Sequence, residues 1–66
     1  MIILVNGKKQ DVQPELTLKA WVDFQERSFS GIAIAVNQVF IPKPKYDTCI
    51  LKENDQLDLL SPHPGG

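Results

Sequence analysis

Two glycines close the chain, Gly65 and Gly66, behind a proline-punctuated stretch, Ser61-Pro62-His63-Pro64. Neither glycine has a Cβ atom, so the backbone can pass a narrow channel and present an unhindered carboxylate to an attacking group. A frayed, solvated end is the other reading that the dipeptide alone leaves open. Nothing else in the chain competes for a chemical role: there is no Ser/His/Asp set with triad character, no metal-ligand spacing and no glycine-rich phosphate loop. Acidic pairs such as Asp47 with Glu53 read as solvated surface rather than as acid and base. His63, the only histidine, lies between two prolines and reads as a solvated spacer, with contact to a partner as its alternative. Cys49, the only cysteine, has no internal disulfide partner. Flanked by Thr48 and Ile50-Leu51, it reads as a packing residue, because no histidine or basic neighbour in sequence would lower its pKa.

Size and composition narrow the field. A chain of 66 residues is one small domain that buries about 60% of the surface its unfolded form exposes. It has little room for a deep catalytic cleft. A hydrophobic fraction of 42% suffices for a folded core and argues against disorder. The net charge is −1, and the only basic pairs are Lys8-Lys9 and the Lys43-Pro44-Lys45 segment, too little for a nucleic-acid footprint. The apolar opening Met1-Ile2-Ile3-Leu4-Val5 is too short for a membrane span or a secretory h-region, so no membrane partner and a cytoplasmic location are expected.

The elements that must position the terminus can be read in order. Met1 to Val5 is an apolar run broken at Asn6-Gly7, the strongest short-range hairpin signal, and Lys8 to Val12 forms the second strand until Pro14-Glu15 ends it. Thr17 is placed to cap a helix over residues 18–27, with Leu18, Trp21, Val22 and Gln25 on one face. Phe24 lies to one side and is expected to cover the helix end, and Ser28 to Gly31 close it. Ile32 to Val36 alternates large and small residues, as a strand with a thick and a thin face does. Asn37-Gln38 is a turn into a short strand, Val39-Phe40-Ile41, that Pro42 stops. Pro42 and Pro44 impose an irregular crossover from which Tyr46 packs back, and Ile50-Leu51 is a brief extended piece. In the turn Glu53-Asn54-Asp55, Asn54 tolerates positive φ. Gln56 to Leu60 is the last strand.

This order predicts an α+β fold, a mixed sheet of four to five strands with one main helix across one face. With the first and last strands side by side, Met1, Ile3, Val5, Leu57 and Leu59 face the helix. Ile2, Leu4, Ala33, Ala35 and Leu60 then point to the open face, and contiguous apolar groups there mark an interaction surface.

The segments Ile3-Leu4-Val5-Asn6, Thr17-Leu18, Ala35-Val36-Asn37-Gln38, Ile41-Pro42-Lys43, Asn54-Asp55 and the terminal Gly65-Gly66 occur in an order and spacing that resemble a known family over the whole chain. It is the ubiquitin-like β-grasp family and, within it, the ThiS family of sulfur carriers in thiamin thiazole biosynthesis. The resemblance implies a β-grasp domain over residues 1–66 with a flexible C-terminal tail at 61–66. It implies no catalytic or metal-binding residue and no bound cofactor. Gly66 would be adenylated by a ThiF-like adenylyltransferase that consumes ATP, then thiolated with sulfur from a cysteine desulfurase. The Gly66 thiocarboxylate would donate sulfur to a ThiG-like thiazole synthase. Ser61, Pro62, His63, Pro64 and Gly65 would thread into the partner's active site, and Leu60, Leu4, Ile2, Ala33 and Ala35 would form the docking surface. Related readings are the small subunit of molybdopterin synthase, and a ubiquitin-like modifier conjugated through Gly66.

Two features depart from the family pattern. Asn54 stands where a glycine is usual, and Asn adopts the same left-handed conformation. Pro62 and Pro64 remove two N–H donors and favour an extended arm. The tail of the free protein is therefore expected to give backbone order parameters below about 0.6 by NMR relaxation. A rigid tail packed on the domain would contradict the reading, since a carboxylate held there reaches no partner.

Overall fold

The computed structural model describes residues 1–25 and 28–61. Strands β1 (Ile2–Val5) and β2 (Lys8–Asp11) form the N-terminal hairpin. Its turn has Asn6 at φ 50° and Gly7 at φ 84°, the left-handed pair that a two-residue type I′ turn requires. Helix α1 (Leu18–Phe24) follows, then β3 (Ala33–Val36), β4 (Val39–Ile41), a short 3₁₀ turn at Lys43–Lys45 and β5 (Gln56–Leu60). The five strands lie in the order β2-β1-β5-β3-β4. The pair β1–β5 is parallel and the other three pairings are antiparallel. The expected mixed sheet and the adjacency of first and last strands are both present.

All the leading N–H groups of the helix are satisfied. Ala20 N–H donates to Thr17 Oγ1 at 3.1 Å, as the cap was expected to do. Leu18 N–H reaches Cys49 O at 2.8 Å and Lys19 N–H reaches Tyr46 O at 3.0 Å. The irregular segment after β4 thus finishes the helix N-terminus, while Leu51 N–H bonds Leu16 O at 2.8 Å and Thr17 bridges Ile50.

The helix is shorter than its periodicity predicts. The Gln25 side-chain amide donates to Trp21 O at 2.7 Å, taking the carbonyl that the Gln25 backbone would claim in a continued helix. Its backbone N–H turns to Val22 O at 3.1 Å, and its ψ of 144° is extended. Side-chain competition of this kind ends helices that pattern alone would extend. Phe24 does not cover the helix end, being 68% exposed. Phe29 packs edge-on against Trp21 instead, ring centroids 5.7 Å apart.

The core lies between α1 and one face of the sheet. Ile3, Ile34, Val36 and Leu57 come from strands, Leu18 and Trp21 from the helix, and Leu16, Tyr46 and Leu51 from connecting segments. Each large aliphatic buried this way contributes roughly 1.5–3 kcal/mol. The Trp21 indole N–H is not stranded by burial, since it donates to Gln10 Oε1 at 2.8 Å.

The turn between β3 and β4 has Asn37 at φ 51° and Gln38 at φ 69°, so a residue with a Cβ stands at both left-handed positions. Asn37 is held there by its own side chain, which donates to Asp55 Oδ1 and accepts from Gln56 N–H, both at 3.0 Å. Gln38 has no such bond among the described residues. The left-handed conformation costs an L-residue roughly 1–2 kcal/mol, of which glycine's greater unfolded freedom returns about half. Gln38→Gly is therefore expected to raise stability by about 0.5–1 kcal/mol in urea denaturation, and a loss would show that the turn is not strained there.

Candidate docking face and the exit of the C-terminal strand

Strand register assigns every side chain to a face of the sheet. Val5 pairs with Leu57, Leu57 with Val36, and Val36 with Val39, so these share the helix side. The alternate residues stand on the open face: Ile2 and Leu4 of β1, Ala33 and Ala35 of β3, Gln56, Asp58 and Leu60 of β5, and Phe40 of β4. All five residues expected on that face are there. Leu60 is 58% exposed, while Ile2, Leu4, Ala33 and Ala35 are half-buried by their neighbours.

Phe40, 61% exposed, belongs to the same patch and was not expected in it. The signal was available. A two-residue turn at Asn37-Gln38 pairs Val36 with Val39, which sets Phe40 opposite Ala35 and on its face.

The last strand is held on both sides almost to its end. On one side Leu60 is in register with Ala33 and Leu59 with Ile34. On the other, β1 stops at Val5, and Asn6 takes over the ladder. Its backbone N–H donates to Leu57 O at 2.9 Å, and its Oδ1 accepts from Leu59 N–H at 2.8 Å. Ser61 follows, exposed, as the chain leaves the sheet. Pro62, His63, Pro64, Gly65 and Gly66 lie outside the described residues.

The rest of the described surface offers no catalytic set. Cys49 is half-buried, and burial, with the Asp55 charge second, pushes its thiol pKa up, so the protonated, weakly nucleophilic form prevails at neutral pH. Burial likewise raises the Tyr46 phenol. No group of three metal-ligating side chains occurs among the described residues. An open cleft of about 410 Å³ lies on the helix side; of the three charged residues on its wall, Lys19 and Asp23 pair with each other at 3.2 Å and the third is Lys43. Among the described residues no helix is long and apolar enough to cross a membrane.

A five-stranded mixed sheet with parallel first and last strands, a single helix on one face and a chain end leaving the central strand defines a β-grasp domain. The sequence model of the ThiS family matches residues 3–66, and the chain belongs to that family. It is a family of small sulfur carriers of thiamine biosynthesis that work with partner enzymes, and that coarse role falls to this chain. No curated protein matches. Among solved structures, the thiamine biosynthesis protein ThiS from Geobacter metallireducens superposes with a TM-score of 0.86. It is 20% identical, the match covers 100% of each chain, and the likeness extends to the fold.

The two faces of β5 should answer differently to mutation. Leu60→Glu is expected to change unfolding free energy by no more than about 0.5 kcal/mol, as exposed positions do. Leu57→Ala should cost about 2–5 kcal/mol by opening a core cavity. Unfolding of the Leu60 variant in a denaturant titration would place that residue in the core.

Proposed function

We propose that this chain carries sulfur as a thiocarboxylate on Gly66 for thiazole formation in thiamine biosynthesis. The observation that supports this reading most is the match to the ThiS family up to residue 66, coupled with a central strand that runs out of the sheet just before the diglycine. A carboxylate is a poor electrophile, so it must first be activated. A ThiF-like adenylyltransferase supplies ATP: a carboxylate oxygen of Gly66 attacks the α-phosphorus, pyrophosphate leaves, and an acyl-adenylate forms. A persulfide derived from a cysteine desulfurase then attacks the acyl carbon, AMP departs with the oxygen, and a thiol reductant cleaves the S–S bond of the acyl disulfide so formed, itself ending in a disulfide. The resulting thiocarboxylate is handed to a ThiG-like thiazole synthase.

In this division of labour the chain supplies an acyl group, a reach and a docking surface. Residues 61–66 are the arm, and six extended residues span at most about 20 Å. Gly65 and Gly66 enter the narrowest part of the partner's site, with Ser61, Pro62, His63 and Pro64 behind them. Leu60, Leu4, Ile2, Ala33 and Ala35 meet the activating enzyme through the open face. ATP belongs to the partner, and this chain binds no cofactor of its own.

Incubation with a ThiF-like enzyme, ATP and a sulfur source should replace one terminal oxygen by sulfur, read by intact-mass spectrometry. No change under conditions that thiolate a known carrier would sink the proposal. So would full activity after a residue is added beyond Gly66, or the appearance of Gly66 joined to lysines of other proteins in place of the thiocarboxylate.

A further inference from the structure

One group on the open face serves neither the fold nor the sulfur chemistry. Asp58 stands there on β5, between Gln56 and Leu60, and is half-buried. Among the described residues no hydrogen bond or ion pair reaches its carboxylate. Lys9 shares the face but sits on β2, with β1 between it and β5, and no ion pair joins the two.

Register places Asp58 in a row across the sheet. Asp58 is paired with Ala35, and Ala35 with Phe40. In the next row Leu60 is paired with Ala33. Two alanines thus floor a trough on β3, with Asp58 and Leu60 on one bank and the exposed ring of Phe40 on the other. Two strand spacings separate the banks, roughly 10 Å. A long, flat cation fits such a trough: its guanidinium can bond the carboxylate in a fork while its plane lies against the aromatic ring.

When a second surface covers this face, Asp58 loses its water, and an unmatched carboxylate there would oppose binding. The cation must come from the covering surface. A second copy of this chain is a poor occupant, because two-fold pairing over the central strand brings Asp58 towards its own symmetry mate. Phosphate-rich surfaces meet the wrong charge.

Building on the docking role assigned above, we propose that the partner protein lays an arginine across Ala35, between the Asp58 carboxylate and the Phe40 ring. That arginine makes the open face selective as well as adhesive. A competing apolar surface without a cation leaves Asp58 buried and unpaired.

The probe is the ThiF-like enzyme that thiolates this chain in the intact-mass assay, titrated calorimetrically. Asp58→Asn is expected to weaken binding about tenfold or more and to flatten its salt dependence. Phe40→Ala should weaken it about fivefold, with the double variant losing less than the product because one arginine serves both. Asp58→Asn and Asp58→Ser should keep the thermal midpoint of the parent, since the carboxylate has no partner among the described residues. A marked drop in both would make Asp58 structural and overturn the proposal. Asp58→Asn binding within twofold of the parent also overturns it. If Leu60→Glu has meanwhile lost affinity, the docking face stands and only the arginine match fails. If Leu60→Glu also binds normally, the docking reading itself has failed. A dimer of the free chain that Phe40→Ala dissolves, seen by sedimentation, would assign the trough to a second copy instead.

Discussion

Everything in this fold depends on the parallel contact between the first strand and the last. It is the only parallel pairing among the described residues, and it joins two antiparallel hairpin units, β2-β1 and β3-β4, through β5. The contact is reinforced at both ends. Ile2 N–H donates to Glu53 Oε2 at 2.5 Å, and Asn54 N–H returns to Ile2 O at 2.7 Å. Beyond Val5, the Asn6 side chain imitates the next ladder residue and holds Leu59. One asparagine therefore does two jobs, left-handed turn former and strand clamp, which a glycine at that position would only half replace.

The sheet has two edges of different character. β2 shows Lys8, Lys9 and Asp11 to solvent, charges that discourage pairing with another chain. β4 shows Val39 and Phe40 and has no charge, its protection being brevity and the proline that follows. The uncharged edge adjoins the apolar half of the open face, so the surface grades from polar at one margin to apolar at the other.

Much of this was legible in the residues, and the reasons differ by element. Asn6-Gly7, the Thr17 cap and Asn54 (φ 68°) are local signals in which one residue type meets one backbone need. The face assignment of Leu60, Ile2 and Leu4 followed from strict alternation once β1 and β5 were placed together. The helix end was not legible, because Gln25 reads as a good helix former until its amide is seen to take the Trp21 carbonyl. Leu16 and Leu51 were also hidden: they sit in connecting segments where no periodicity marks them, and they become core only because the crossover folds against the helix N-terminus. Phe40 needed register rather than pattern. The five residues after Ser61 rest on sequence and family alone.

The bond between Asn6 and Leu59 spans 53 positions of the chain, and that separation bears on how the protein is made. The central strand of the sheet is the last in chain order, so two hairpin units and a helix come before the piece that joins them. Long-range pairing of this kind is slow to form, and the hydrophobic face of each half is uncovered while it waits. Such a topology also acts as a proofreading device. A chain cut short before Leu57 has no sheet centre and cannot assemble the open face. Only a polypeptide that includes this last strand joins the two hairpin units and completes the open face of the sheet.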